Sequence, residues 1–316
     1  MFCKKNTIYR NKPATIVSGL GYMSLKDTLE CGQAFRYEKL VDEKNYVEYM
    51  TVAYGKIINV GQENIGELIF FDEWNEEYEA IVSRYFAFDL DFEKIRLDII
   101  SKTDSEWLIS ASEAARGIVI LRQDPWESLF SFIISQNNNI PRIKKIIKNI
   151  SSQYGENLAE AGKITKCPLP QNDFAPCGEK CSQCGICYSF PTPNQVLDCP
   201  DKLLPSHPGF RYKYLVDAAE KVASGEVNLD QIAEKRSYVY TIEQLKHILG
   251  VGDKVASCVA LFGFSNLEAF PIDVWMKRAI DLYFGGKLDP ASLGEYAGVA
   301  QQYIFHYIRN LEEKNS

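Results

Sequence analysis

A chain of 316 residues, 46% hydrophobic and 24% charged, has the length and balance for a packed core in two or three domains, which excludes a disordered or low-complexity protein. Its net charge of -7 excludes a protein that coats nucleic acid by bulk electrostatics, but leaves room for an enzyme that grips a few phosphates through amides and a local basic patch. No apolar run approaches membrane-spanning length, Met1-Phe2-Cys3-Lys4-Lys5 has no signal-peptide stretch, and the nine cysteines read as reduced thiols or metal ligands, so a cytoplasmic protein without a membrane partner is expected.

Up to about residue 72, short segments rich in Ile, Val, Tyr and Phe alternate with turn residues, as at 33–40, Tyr46–Ala53, 56–60 and 67–71, and predict a mainly antiparallel sheet. Just ahead of the first lies Cys31-Gly32-Gln33-Ala34-Phe35-Arg36-Tyr37, where a glycine either makes a turn or lets the backbone approach a ligand closely. Residues 72–78 open a helix that is acidic in its first turn and apolar behind at Tyr78, Ile81, Val82 and Tyr85. A helix is also expected over 108–122. Asp124-Pro125 then starts another, with an N-cap and proline at the first position, and its apolar run through residue 136 reads as central core.

That run ends in Asn137-Asn138-Asn139-Ile140-Pro141-Arg142. Asparagine side chains compete for backbone hydrogen bonds, and Pro141 disfavours helix at Ile140, so a polar loop is expected. A basic run of Arg142, Lys144, Lys145 and Lys148 follows. Such a loop suits insertion into a duplex from which a base has been extruded, because the estranged partner's edge needs donors and acceptors.

Residues 155–190 form a polar, cysteine-rich insertion. Cys177, Cys181, Cys184 and Cys187 fall within eleven residues, flanked by Cys167 and Cys199. The spacing suits a structural zinc ion; an iron–sulfur cluster is the second reading, weakened by the long gap to Cys199-Pro200, and no metal the third. Gly209-Phe210-Arg211-Tyr212 precedes a helix expected to end at Ala223-Ser224, with Gly225 just beyond. Two apolar helical faces (Leu245, Ile248, Leu249; then Val255, Cys258, Val259, Phe262) flank Gly250-Val251-Gly252. This is a helix–hairpin–helix, whose free amides can hold a phosphate. Lys254 opens the second helix and Pro271-Ile272-Asp273 leads into another, while Gln301 and Phe305, four apart, share a face of the last helix.

The hairpin, Lys254 and the Pro-x-Asp-Val at 271–274 together resemble the helix–hairpin–helix DNA glycosylases. The Gly-Gln-x-Phe-Arg of 32–36, the 124–143 segment, Gly209-Phe210-Arg211 and the Gln301/Phe305 pair resemble the 8-oxoguanine branch of that superfamily. The resemblance implies an α+β protein: an N-terminal antiparallel sheet domain with helices over 1–115, then a mainly α-helical helix–hairpin–helix glycosylase domain over 116–316. It implies excision of 8-oxoguanine, opposite cytosine, followed by strand cleavage through a lysine Schiff base. Lys254 would be the nucleophile and Asp273 the carboxylate that stabilises charge on the sugar. Gly32, Cys258, Gln301 and Phe305 would form the base pocket, and Gly250, Val251 and Gly252 the phosphate contacts. Asn137, Arg142, Phe210 and Arg211 would meet the DNA and the orphaned base. No cofactor is needed for this chemistry, and the expected partner is double-stranded DNA carrying oxidised purines or abasic sites, met by a monomer. The chain departs from the family in its cysteine insertion, in Phe210 where a tyrosine is usual, and in Trp275 where a histidine follows the aspartate by two. The rival readings are an endonuclease III-like enzyme for oxidised pyrimidines, a noncatalytic damage-binding module, and a metal- or redox-sensing module built on the cysteines. The sheet domain opposes the first; retention of both Lys254 and Asp273 opposes the second.

Overall fold

The computed structural model describes residues 2–158 and 187–313. Six strands, β1 (Cys3–Tyr9), β2 (Lys12–Ser18), β3 (Tyr37–Glu43), β4 (Tyr46–Ala53), β5 (Lys56–Gln62) and β6 (Glu67–Phe70), make one antiparallel sheet in the order β1-β2-β6-β5-β4-β3. The two-residue period of a strand divides β4 between two cores. Tyr49 and Ala53 join the large core shared with the helices, while Met50 and Val52 pack on the other face with Ile57 and Leu158. A short helix α1 (Leu25–Glu30), capped by Ser24, fills the crossover from β2 to β3.

The expected strand at 33–40 begins later, at Tyr37, because Gln33 serves as a buried clamp instead. Its Nε2 donates to the carbonyls of Thr28 (2.9 Å) and Val119 (2.8 Å), and its Oε1 accepts from the Leu121 amide (2.8 Å). The same contacts correct the helix expected over 108–122. Helix α4 (Glu106–Ala114) stops early, and Ile118–Leu121 run as buried non-helical backbone paired to Gln33. A side chain at Gly117 would collide with Ser24. Ahead of α4 lie α2 (Glu76–Tyr85), capped by Asn75 rather than Asp72, and α3 (Phe92–Ser101). Asp72 is instead half-buried, accepting from the Asn59 amide and the Tyr78 hydroxyl at 2.7 Å each.

Helix α5 (Pro125–Ser135) runs through the centre, with Leu129, Phe130, Ile133 and Ile134 wholly or nearly buried. Asp124 caps it, accepting from the Glu127 amide at 2.9 Å. Helix α6 (Ile140–Tyr154) starts at Ile140 itself: Asn139 is the N-cap, and Pro141 is tolerated in the first turn, where its missing N–H would have no partner anyway. The two ends of the cysteine-rich insertion meet as a narrow antiparallel ribbon, with the Leu158 amide donating to Cys187 O (2.6 Å) and the Ser189 amide to Glu156 O (2.9 Å).

Among the described residues the remaining α-helices are α7 (Pro193–Asp198), α8 (Tyr212–Ala223), α9 (Leu229–Lys235), α10 (Tyr238–Leu245), α11 (Asp253–Gly263), α12 (Val274–Tyr283) and α13 (Ala297–Glu313). Helix α11 packs along α5. Helix α13 returns to pack along α4 and α3, so the C-terminal helix shares its core with the N-terminal part of the chain. Among the described residues no helix is long and apolar enough to cross a membrane.

Candidate active site

The helix–hairpin–helix forms as expected between α10 and α11. Gly250 turns the chain with φ +77°, and a side chain there would lie 2.5 Å from Cγ of Tyr214 and 2.6 Å from its Cε2. Gly252 is the extended N-cap of α11 and makes no side-chain bond, so the first amides of the helix are left for an anion. Helix α8 holds the hairpin from behind: Asp217 Oδ2 accepts from the Leu249 amide (2.6 Å), and Lys221 Nζ donates to His247 O (2.6 Å).

Lys254 sits in the first turn of α11 and is half-buried against the end of α5. Its Nζ donates to Ser135 Oγ at 3.5 Å and lies 5.6 Å from the centre of the Phe132 ring. Neither neighbour was legible as a site residue, since both close an apolar run that reads as core. Asp273 is the N-cap of α12, its Oδ1 accepting from the Met276 amide at 2.8 Å. The cap fixes the carboxylate in place. Cys258, one turn beyond Lys254, is buried, and burial pushes its thiol above the ordinary range. Lys254 opposes that shift and Asp273 adds to it, so both charges are felt at one thiol.

The residues expected to form the base pocket come from opposite ends of the chain. Gly32 has φ +88°, and a Cβ there would lie 3.3 Å from Ile140 Cδ1 and 3.5 Å from Phe305 Cε1. The backbone of the N-terminal part thus abuts a ring on α13. Gln301, one turn before Phe305, is buried, and its Oε1 accepts from Gln302 Nε2 at 2.8 Å. Beside Gly32, burial pushes the Cys31 thiol up to about 12, and Gln33 Nε2 donates to its sulfur at 3.3 Å.

The residues expected to meet DNA divide into exposed and buried ones. Asn137 is exposed at φ +49°, in the loop between α5 and α6, and Arg142 is exposed on the first turn of α6. Phe210 is 50% exposed and meets Tyr214 edge-on at 5.9 Å. Arg211 lies inward at 3% exposure: its Nε donates to Gln136 O at 2.7 Å, its Nη2 to the same oxygen, and its Nη1 to Pro208 O at 3.1 Å. Burial, then the charge of Arg142, moves its guanidinium below its ordinary value. Of the cysteine cluster, Cys177, Cys181 and Cys184 lie outside the described residues, as does Cys167. Cys187 is buried, and among the described residues no group of three or more His, Cys, Asp or Glu is placed to hold a metal ion.

Residues 16–129 match the model of the 8-oxoguanine DNA glycosylase N-terminal domain. The solved structure of MBOgg1 in complex with a low-affinity DNA ligand superposes with a TM-score of 0.79 at 33% identity, covering 99% of both chains. The chain belongs to the 8-oxoguanine DNA glycosylase family. A second member is similar throughout, the Clostridium acetobutylicum 8-oxoguanine glycosylase/lyase in complex with double-stranded DNA containing cytosine opposite the lesion. Its TM-score is 0.78 at 31% identity, over 99% of this chain and 98% of that one. Among curated relatives, the N-glycosylase/DNA lyase of Saccharomyces cerevisiae is 28% identical over 284 residues, 81% of this chain and 67% of that protein. The α+β fold of this glycosylase family is therefore present from the sheet to α13.

Proposed function

We propose that this protein is a bifunctional DNA glycosylase and abasic-site lyase that removes 8-oxoguanine from double-stranded DNA, with Lys254 as nucleophile and Asp273 as the stabilising carboxylate. The observation that supports the reading is that Lys254 opens α11 half-buried against Ser135 and Phe132 at the end of α5, while Asp273 caps the next helix, α12, with its carboxylate held by the Met276 amide. The chain is an enzyme, and its macromolecular partner is DNA.

When the C1′–N9 bond of the lesion breaks, its electron pair leaves with the base and positive charge develops on the sugar. The fixed carboxylate of Asp273 stabilises that charge. The Lys254 nitrogen gives a proton to the departing base and bonds to C1′, and opening of the sugar ring gives a Schiff base. A C2′ proton then passes to water, and the electron pair it leaves expels the 3′ phosphate oxygen and cuts the strand. Lysine and carboxylate suffice for these steps, so no cofactor is required. The Gly32 carbonyl would accept from the imidazole-edge N–H of the lesion. A normal guanine presents no hydrogen there, and a buried group left unpaired costs about 1–3 kcal/mol. Asn137 would fill the vacated space, Arg142 would read the orphaned cytosine, and Phe210 would wedge the duplex. Arg211, whose guanidinium is occupied at Gln136, would act by holding the loop. A boundary near residue 115 between the sheet domain and the helical domain, and a cytoplasmic location, belong to the same proposal.

Borohydride trapping on a duplex with 8-oxoguanine opposite cytosine tests it, with wild type and Lys254→Gln side by side. A covalent complex that the variant loses is expected. Full base excision by Lys254→Gln would remove the nucleophile assignment, and trapping only on oxidised pyrimidines would favour the endonuclease III-like alternative.

A further inference from the structure

We infer that Ser135, the last residue of α5, is a positioning residue for the Lys254 amine: together with the Phe132 ring it takes up two N–H groups of that amine, and so leaves its lone pair turned away from α5 and free to bond. The inference rests on the assignment of Lys254 as nucleophile proposed above.

A serine hydroxyl donates one hydrogen bond and accepts others. That of Ser135 donates to Phe132 O at 2.8 Å, a bond back into the last turn of its own helix. Its hydrogen is thereby spent, and its oxygen meets Lys254 as an acceptor, receiving an N–H of Nζ at 3.5 Å. Contacts of this kind are often long before a substrate is bound and tighten as it arrives. The oxygen is fixed from two sides. Its own helix holds it at Phe132 O, and the carbonyl of the next residue, Gln136, is held by two nitrogens of Arg211. The Phe132 ring is fixed as well: it is buried, stacked on Phe262 of α11 at 5.4 Å and met edge-on by Phe35 at 5.6 Å.

Beyond its carbon, a lysine nitrogen has three tetrahedral directions. One points to Ser135 Oγ, which can only accept there. A second is drawn to the Phe132 ring, whose centre lies 5.6 Å from Nζ and whose negative face attracts hydrogen and repels a lone pair. The third is left over. In the ammonium it holds the proton that passes to the departing base, and in the amine it holds the lone pair that bonds to C1′. Rotation about Cε–Nζ is thus settled before the sugar arrives. Orientation of this kind contributes to the rate of bond formation and not to the affinity for DNA, which Ser135 has no part in.

Single-turnover borohydride trapping on a duplex with a preformed abasic site isolates this step, since no base has to leave: the amine bonds to C1′, water departs and hydride reduces the Schiff base. Wild type, Ser135→Ala, Ser135→Thr and Ser135→Val are compared, and the affinity of each for a duplex carrying a tetrahydrofuran abasic analogue is measured beside it. Threonine and valine have nearly one shape, but only threonine keeps the oxygen. Ser135→Ala and Ser135→Val should trap about three- to tenfold more slowly, and Ser135→Thr within about twofold of wild type, with affinity for the analogue unchanged in all. Should the branched side chains lower the melting temperature, Ser135→Ala alone decides. The inference is overturned if Ser135→Ala traps at the wild-type rate, if stably folded threonine and valine variants are slowed equally, or if the loss lies in affinity. A Lys254→Gln variant that still traps would instead remove the assignment of the nucleophile itself.

Discussion

Replacing Gly250 by alanine asks whether the hairpin depends on a close backbone approach to α8. At φ +77° a Cβ is disfavoured by about 1–2 kcal/mol. It would also sit 2.5 Å from Cγ of Tyr214, where carbon pairs settle at about 3.5–4.0 Å, so the ring must move by about 1 Å. Overpacking of that kind costs about 1–3 kcal/mol. Alanine also stiffens the unfolded chain, which offsets about 0.4–1 kcal/mol. The hairpin has little freedom to relax, being held at Leu249 by Asp217 and at His247 by Lys221. A net loss of about 1.5–4 kcal/mol is therefore expected in urea unfolding. The same substitution in a Tyr214→Ala background removes the collision but keeps the backbone strain, and should cost only about 1 kcal/mol. Equal penalties in the two backgrounds, or a penalty below about 0.5 kcal/mol in the first, would refute the argument.

Asp273→Asn should separate catalysis from folding: asparagine caps a helix as well as aspartate, so stability should stay within about 0.5 kcal/mol while single-turnover excision falls about 100-fold or more. Wild-type excision by this variant would rule out the electrostatic role. Arg36 pairs with Glu127 at 3.0 Å inside the protein, and burial holds the Glu127 carboxyl above its ordinary range against the opposing pull of Arg36. Arg36→Met should cost about 3–5 kcal/mol in denaturant unfolding, and Glu127→Leu added to it should restore part of the loss; no recovery would mean that packing, not charge, sets the cost. Hydrogen bonds from Arg96 and Arg116 bring Glu93 down from 4.5 to about 2. Its folded value lies below its unfolded one, so the stabilisation is present above pH 4.5 and is lost as pH falls towards 2. The melting temperature of wild type should exceed that of Glu93→Gln near neutrality and converge on it between about pH 4.5 and 2. A constant difference across that range would remove Glu93 from the linkage.

Most of the fold was legible because its signals are local. Asp124-Pro125, Gly225 after α8, the hairpin glycines and the Asp273 cap each act within one turn of a helix, and each stands where the residues placed it. The errors came where distant side chains override local preference. The run from Ile118 to Leu121 follows a good helix pattern, yet Gln33, more than eighty residues earlier, pairs with its backbone and holds it out of the helix. The same partnership delays β3. Lys254 and Asp273 were singled out by the resemblance of the hairpin and the Pro-x-Asp-Val, and both stand at helix starts as that resemblance implied. Ser135, Phe132 and Gln302 could not be found in that way. A serine, a phenylalanine and a glutamine within helices carry no chemical signature until the fold sets them beside a lysine or another amide.

The placement of Arg211 shows how the parts proposed to meet DNA are tied together. Tyr214, Asp217 and Lys221 are spaced three and four apart on α8, so they share one face, and that face meets the hairpin at Gly250, Leu249 and His247. Just before the helix, Arg211 reaches the other way, to the carbonyl of Gln136, the residue preceding the left-handed Asn137. Phe210 stands exposed between the two, its ring against Tyr214 and under the Arg211 guanidinium at 4.4 Å. Hairpin, wedge and asparagine loop are thus fastened to a single helix. A duplex gripped by the hairpin amides would then find the wedge and the loop already at fixed spacing, so their order is a property of the folded protein and need not be created at the moment of binding. An arginine spent inside the protein serves that end better than one left at the surface, because its planar donors hold one carbonyl from two nitrogens.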